Sequence, residues 1–292
     1  MFKPHGIITP VLTALDDNEN FNETEYKNFI DHLIKCGVHG IFALGTNGEF
    51  YAFSQDEKLR IIKACIEAVD GRVPVYAGTG CVTTKETVEL SRAVEALGGV
   101  DCLSVISPYF TAIKQDDLIK HYSKVADAVK MPVLLYNIPA RTGNNIDFKT
   151  VKALASHKNI IGIKDSSGNF DNTLKYIENT DSRLAVLAGS DSLILWTLQA
   201  GGAGAISGCS NVFPELMASI YNYFEKGDFV KANEAQQKIR PFRNVMQMGN
   251  PNSVVKRAAQ LKGFKVGPAR APSNIENPAI DKALLDVFKL YE

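Results

Sequence analysis

The chain has 292 residues, of which 45% are hydrophobic and 22% charged, as in an ordinary globular protein of one or two domains. Its 32 basic and 32 acidic side chains balance, which excludes the basic surface of a nucleic-acid-binding or membrane-binding protein. No apolar run reaches the ~18 residues of a membrane span, and residues 1–6 lack the apolar core of a signal peptide. Five widely separated cysteines without a CxxC pair favour a reducing compartment, so we expect a cytoplasmic protein.

Short apolar segments alternate with amphipathic segments of helical length over residues 1–213. Strands are predicted at 6–10, 38–44, 73–77, 102–106, 133–136, within 159–168, at 184–187 and at 203–206. Helices are predicted between them at 24–35, 54–69, 84–97, 115–129, 148–156, 172–179 and 193–199. Eight strands, each followed by a helix, predict an α/β fold of the (β/α)8 TIM-barrel type, and we expect this barrel to be the catalytic domain.

Residues 214–292 are too long for one closing helix. Helices are predicted at 214–226, 229–248 and 254–262, followed by a proline-rich link and a last helix from Asn277. We therefore expect a C-terminal helical region packed on the barrel. Helix starts carry capping signals, with Asn22 or Thr24 before the first helix and Ser54 with Glu57 at the second.

The sixth strand ends in an unusual residue. Ile160, Ile161 and Ile163 suit a strand buried on both faces, and Lys164 follows them before a polar turn. Burying an ammonium group is costly unless it is paired or neutralised, and a neutral amine is a nucleophile towards carbonyl carbons. The alternative is a lysine whose stem lines the core while its amine reaches water. Because active sites of such barrels lie at the carboxyl ends of the strands, this position favours a reactive lysine.

Other unusual side chains also follow predicted strands. Tyr136 ends the fifth strand and is either a core tyrosine or a proton-transfer group. Thr46 lies in the loop 45–49, where two glycines leave backbone N–H groups free to bind an anion, and its hydroxyl is a candidate catalytic group that adds a donor or passes a proton. Arg141 follows the fifth strand and is either a surface residue or a fork for a substrate carboxylate. Their concentration at one end of the barrel favours the catalytic interpretation.

Three motifs follow strands two, five and six: GTNGE at 45–49, YNIP with RTG at 136–143, and GIKDSSG at 162–168. Their order, spacing and eight-unit context together resemble the dihydrodipicolinate synthase / N-acetylneuraminate lyase superfamily. The resemblance extends from about Gly6 to the C-terminal helices. Each motif alone is modest, but the combination is specific.

The resemblance implies a class I aldolase-type lyase, with Lys164 as the Schiff-base lysine for pyruvate or another 2-oxo acid and Tyr136 as the proton-transfer residue. It places the carboxylate of the 2-oxo acid on Thr46 and Asn47, and the Ile206 carbonyl near the pyruvate methyl group. It also implies a homotetramer, a dimer of dimers, that acts on small molecules without a cofactor or a metal. The five histidines show no metal-binding spacing.

The second substrate is less defined. Arg141 resembles the synthase arginine that holds the carboxylate of aspartate semialdehyde, and it indicates an acidic second substrate. Asn47 stands where the synthase carries a second threonine. Tyr109, a candidate for substrate binding, is followed by Phe110, where the synthase has a tyrosine that reaches the neighbouring subunit's site. We therefore favour a lyase or aldolase for a small acidic or 2-keto-3-deoxy acid; the alternatives are 4-hydroxy-tetrahydrodipicolinate synthase and a non-catalytic 2-oxo acid sensor.

Overall fold

The computed structural model of the chain describes residues 2–181, 183–273 and 277–291. Eight parallel strands form a closed barrel in chain order, with the eighth paired to the first. They are β1 (Gly6–Pro10), β2 (Gly40–Ala43), β3 (Val75–Gly78), β4 (Cys102–Ile106), β5 (Val133–Asn137), β6 (Ile160–Asp165), β7 (Ala185–Ala188) and β8 (Gly204–Ile206). The (β/α)8 barrel is confirmed, and the strand ends lie within about two residues of the predicted ones, the usual scatter for such boundaries.

Helices connect the strands and continue beyond the barrel. The first eight are α1 (Glu23–Lys35), α2 (Gln55–Val69), α3 (Thr84–Leu97), α4 (Gln115–Ala128), α5 (Pro139–Thr142), α6 (Phe148–Leu154), α7 (Phe170–Asn179) and α8 (Ile194–Gln199). The C-terminal helices are α9 (Pro214–Glu225), α10 (Phe229–Lys238), α11 (Arg240–Met246), α12 (Pro251–Leu261) and α13 (Pro278–Phe288). The single helix expected at 229–248 is two helices because Pro241 has no N–H to donate within a continuous helix. The short helix α5 was not predicted.

The helix starts follow the capping signals. Asn22, and not Thr24, caps α1, since its side-chain oxygen accepts the Glu25 N–H at 3.2 Å. Ser54 and Glu57 form a reciprocal capping box at α2, with distances of 3.3 and 2.8 Å. Each such cap satisfies backbone donors that a helix start leaves unpaired, and contributes about 1 kcal/mol.

The barrel interior is filled by one side chain from each strand, so it is a packed core and not a pore. These residues are Ile8, Phe42, Tyr76, Cys102, Leu134, Ile161, Leu187 and Ile206. Burying a large apolar side chain of this kind contributes about 1.5–3 kcal/mol. Because alternate residues of a strand share a face, Tyr136 continues the inner face two residues beyond Leu134. Tyr136 pairs with Lys164 on β6, so the two side chains leave the sheet side by side at the carboxyl end of the barrel.

The C-terminal helices pack on the barrel. Met217, Phe242, Val255 and Leu284 are fully buried and belong to the same hydrophobic cluster as the helices that cover the strands. This packing agrees with a helical appendage, while the division of the chain at residue 213 stays a prediction. In the ranges that the structure describes, no helix is both long and apolar enough to cross a bilayer.

Candidate active site

Lys164, Tyr136 and Thr46 meet at the carboxyl end of the barrel, and all three side chains are buried. Lys164 Nζ lies 4.0 Å from the centroid of the Tyr136 ring and 5.6 Å from that of the Phe42 ring. Thr46 Oγ1 and Tyr136 Oη are 2.9 Å apart, which is a hydrogen-bond distance. The structure therefore brings together the amine and the two hydroxyl groups that the sequence singled out.

The Lys164 amine has no polar partner within the ranges that the structure describes. The side chain is only 4% exposed, yet among the described residues nothing forms a hydrogen bond or an ion pair with it. The other deeply buried lysine of this part of the chain, Lys256, is by contrast paired with Glu49 at 2.7 Å. The Lys164 amine thus lies against two aromatic rings, opens onto the cavity described below and is not held by a carboxylate, as suits a nucleophilic lysine.

The turn after Lys164 is fixed by Asp165, which is a buried carboxylate. It accepts hydrogen bonds from Asn137 Nδ2 at 3.0 Å, the Ser167 N–H at 3.0 Å, Ser167 Oγ at 2.9 Å and Thr173 Oγ1 at 2.8 Å. Because these donors occupy the carboxylate, Asp165 holds the end of β6 without pairing with Lys164. The sequence indicated only a polar turn here; the short polar residues after Lys164 were its sole signal.

The loop that carries Thr46 and Asn47 is fixed by contacts with the segment that follows β1. The Gly48 carbonyl accepts a hydrogen bond from Thr13 Oγ1 at 2.7 Å. A Cβ atom at Gly48 would lie 3.0 Å from the Val11 carbonyl oxygen, so the backbone approaches too closely for a larger residue. These contacts hold Gly48 in place next to Asn47, which lines the cavity described next.

Six of the seven predicted site residues line one cavity of about 360 Å³. They are Lys164, Tyr136, Thr46, Asn47, Arg141 and Ile206. The seventh, Tyr109, lines a neighbouring cavity of about 270 Å³, which shares Thr46 and Arg141 with the first. Burial raises the pKa of Tyr109, so its phenol stays protonated at neutral pH. The site thus has two adjoining lobes, and Tyr109 belongs to the second one.

Arg141 stands at the border between the two lobes. Its side chain is exposed, and its guanidinium donates a hydrogen bond to Asn250 Oδ1 at 3.1 Å. A second arginine, Arg243, also lines the Lys164 cavity and was not predicted from the sequence. It lies 3.6 Å from the buried carboxylate of Asp191. Asp191 also accepts a hydrogen bond from Ser207 Oγ at 2.5 Å. No motif marks this pair, because the two residues come from the loop after β7 and from α11.

A metal centre finds no support in the side chains of the described ranges, where no group of three or more His, Cys, Asp or Glu residues is placed to hold an ion. The polar groups of the cavity are instead an amine, hydroxyls, amides, two guanidinium groups and the carboxylate of Asp191, which is paired with Arg243. These groups bind anions and move protons. A barrel whose mouth holds an unpaired buried lysine beside a tyrosine suits the Schiff-base chemistry of a class I aldolase-type lyase.

Comparison with known proteins agrees with this class. The chain is 36% identical over 271 residues to 4-hydroxy-tetrahydrodipicolinate synthase of Ligilactobacillus salivarius, covering 93% of each chain. It is also 36% identical to an uncharacterized DapA-like lyase of Halobacterium salinarum, covering 92% of this chain and 88% of the other. The crystal structure of YagE from E. coli K12, a prophage protein of the dihydrodipicolinic acid synthase family in complex with pyruvate, superposes with a TM-score of 0.93 at 34% identity and covers 98% of each chain.

The model of the Dihydrodipicolinate synthetase family matches residues 3–284, and the chain belongs to this family. Its members are pyruvate-dependent lyases and synthases of the class I aldolase kind. The expected family and the expected lyase class are therefore confirmed. The catalytic roles of the individual side chains stay predictions.

Proposed function

We propose that Lys164 forms a Schiff base with pyruvate or a related 2-oxo acid, and that the protein makes or breaks a carbon–carbon bond next to it. The observation that carries the proposal is the buried, unpaired Lys164 amine 4.0 Å from the Tyr136 ring. The pyruvate complex of the similar YagE structure supports pyruvate as the ligand.

In the first step the unprotonated Lys164 amine attacks the ketone carbon, and the ketone oxygen leaves as water to give the imine. Loss of a proton from the adjacent methyl group converts the imine into an enamine. The enamine carbon attacks an aldehyde, the aldehyde oxygen takes up a proton, and hydrolysis of the new imine restores the amine. Cleavage follows the same steps in reverse.

The proton transfers fall to Tyr136 in this proposal. Its hydroxyl shares a hydrogen bond with Thr46, which orients the phenol and offers a path for the proton toward the second lobe. The polar loop of Thr46 and Asn47 presents donors to the carboxylate of the 2-oxo acid. Ile206 lines the same cavity, which supports a role in which its carbonyl lies near the methyl group of the imine.

The second substrate is proposed to be a small acid. Arg141 supports this, because a guanidinium pairs with a carboxylate through two parallel hydrogen bonds. Its hydrogen bond to Asn250 holds it at the border of the two lobes, both of which it lines. Our first candidate is therefore a lyase or aldolase for an acidic or 2-keto-3-deoxy acid substrate. The second is 4-hydroxy-tetrahydrodipicolinate synthase, which the relatives of that name at 36–37% identity favour.

A side-by-side assay separates these candidates. Condensation of pyruvate with aspartate semialdehyde is compared with release of pyruvate from N-acetylneuraminate, 2-keto-3-deoxygluconate and 4-hydroxy-2-oxoglutarate. We expect release from an acidic or keto-deoxy acid with kcat/KM of about 10⁴ M⁻¹s⁻¹ or more, the lower end of the usual range. Efficient condensation with aspartate semialdehyde would make the synthase the correct assignment. Adduct formation without any turnover would leave the non-catalytic sensor.

We also propose a homotetramer built as a dimer of dimers. Phe110 supports a subunit contact near the site, because this large apolar residue is 94% exposed and has a left-handed backbone with φ of 78°. It adjoins Tyr109, which lines the second lobe. Light scattering on Phe110→Asp should show a smaller assembly than the wild type, while Leu290→Asp, at another exposed apolar position, keeps the wild-type mass. A wild-type monomer, or an unchanged mass in Phe110→Asp, would contradict the proposal.

A cytoplasmic location is part of the same proposal. All five cysteines are unpaired, and four of them are buried. Burial raises the pKa of the Cys65 thiol to about 12, so this side chain is inert and packs as a small hydrophobic group. Free thiols of this kind support a reducing compartment.

A further inference from the structure

Glu49 and Lys256 form a buried ion pair that the proposed chemistry does not use. Their side chains are each 2% exposed, and Glu49 Oε1 lies 2.7 Å from Lys256 Nζ. The second carboxylate oxygen of Glu49 accepts the Arg270 N–H at 2.7 Å. The pair joins the loop after β2 to helix α12, although the two residues stand 207 positions apart in the sequence. Neither side chain lines the two lobes of the site.

Glu49 is the last residue of the loop that carries Thr46. Its N–H donates to the Thr46 carbonyl at 3.2 Å, so Glu49 closes the turn that Thr46 opens. Leu44 and Glu49, which bound this loop, both have a left-handed backbone with φ of 57°. Side chains other than glycine rarely adopt this conformation, and it persists where the surroundings hold it in place. The Lys256 ammonium and the Arg270 N–H are the contacts that hold the Glu49 end.

The N-terminal end of helix α12 forms part of the wall of the site. Asn250 precedes its first residue and accepts the hydrogen bond from Arg141, and Asn252 lines both lobes. Lys256 lies just over one turn further along the same helix. The ion pair therefore links the wall that faces the carboxylate of the 2-oxo acid to the wall that faces the second substrate.

We propose that Glu49 and Lys256 are positioning residues of this site, which set the Thr46–Asn47 loop against the amine of Lys164 through their buried ion pair. This inference rests on the proposed function of Lys164. A purely stabilising pair makes a different prediction, because a buried pair can be replaced by neutral side chains of similar volume without loss of stability. Positioning is lost in such a replacement even when stability is not, and a misplacement of about 1 Å costs as much as ~10²-fold in rate.

The test uses the double variant Glu49→Gln with Lys256→Met, which removes both charges and keeps the volume of both side chains. The matched control is Arg257→Gln with Asp281→Asn, which removes the neighbouring ion pair of the same helix, directed to α13. Each protein is treated with borohydride at increasing pyruvate concentrations. The measured quantity is the pyruvate concentration at which Schiff-base trapping reaches half its maximal rate, so no second substrate is needed.

We expect the Glu49–Lys256 double variant to keep the wild-type thermal midpoint or exceed it, and to need about tenfold more pyruvate. The control variant keeps the wild-type concentration. In a protein that already carries Thr46→Val, the Glu49–Lys256 double change should raise the pyruvate concentration for half-maximal trapping much less than it does in the wild type, because the pair acts through the loop of Thr46. The inference would be overturned if the double variant reached half-maximal trapping at the wild-type pyruvate concentration. It would also be overturned if the effects of the double change and of Thr46→Val on that concentration were independent and additive in free energy. If the double variant does not fold, Glu49→Asp gives the same test, since it keeps both charges and withdraws the carboxylate by one methylene.

The same experiment distinguishes failure of the Lys164 Schiff base from failure of the positioning role of Glu49 and Lys256. Absence of trapping in the wild type overturns the proposed Schiff base at Lys164, and the positioning inference falls with it. Trapping in the wild type with no change in the double variant overturns the inference alone and leaves Lys164 untouched.

Discussion

Replacing Tyr136 with phenylalanine removes one hydroxyl group and leaves the ring beside Lys164 in place. Thr46 Oγ1 loses its 2.9 Å partner, and an unmet buried hydrogen-bonding group costs about 1–3 kcal/mol. A chain of this size loses ~2–4 °C of thermal midpoint per kcal/mol, so the variant stays folded at 25 °C. A general acid–base group contributes ~10²–10⁴-fold in rate, which is far larger than this structural effect.

The assay is deuterium exchange into the pyruvate methyl group, followed by NMR in D₂O without a second substrate. Exchange needs both the imine and the removal of a methyl proton, so it reports the step assigned to Tyr136. We expect Tyr136→Phe to exchange ~10²–10⁴-fold more slowly than the wild type, while borohydride still traps pyruvate. Thr46→Val is the matched control, because it removes the other hydroxyl of the same hydrogen bond and should exchange faster than Tyr136→Phe. If Tyr136→Phe exchanged deuterium at the wild-type rate, the Tyr136 hydroxyl would have only a structural role.

Three further results are expected. Arg141→Ala should raise KM for an acidic second substrate and leave the pyruvate concentration for trapping unchanged; equal weakening of both would mean that Arg141 supports only the loop. Lys164→Met should abolish exchange, with a free energy of unfolding in urea at or above that of the wild type, because the amine it removes is buried and unpaired; a less stable variant would reveal a structural lysine. Burial lowers the pKa of His121 from 6.5 to about 4, so the unfolded chain binds a proton that the folded chain does not between these values. The contribution of neutral His121 to the free energy of unfolding is therefore complete above pH 6.5 and decreases by about 3 kcal/mol toward pH 4. In urea titrations, the free energy of unfolding of His121→Gln should decrease less over this range than that of the wild type.

The parts of the site that follow strands were predictable from the sequence. The apolar run at 160–163 and the polar turn after it placed Lys164 at a strand end, and the barrel pattern placed Tyr136 on the neighbouring strand. The pairing of Tyr136 with Lys164 on one face also depends on a register shift between Val133 and Leu134, which the sequence did not predict. The boundary changes are small because the apolar segments themselves define the strands.

The contacts between distant segments were not predictable. Nothing local in the sequence pairs Glu49 with Lys256, or Asp191 with Arg243, since each pair is made by the closure of the C-terminal helices over the barrel. Periodicity reports which face of an element is apolar, but a polar residue on such a face is informative only once its partner is known. Asp165 is similar, because its role depends on donors from Asn137 and Thr173 that the fold brings to it.

The central claim is that pyruvate reacts with Lys164. Borohydride reduction of the wild-type protein with pyruvate, followed by peptide mass spectrometry, tests it most directly. We expect the mass of reduced pyruvate on the Lys164 side chain of the peptide that contains it, and no label in Lys164→Met. An unmodified wild-type protein, or a label that resides on another lysine and persists in Lys164→Met, would contradict it.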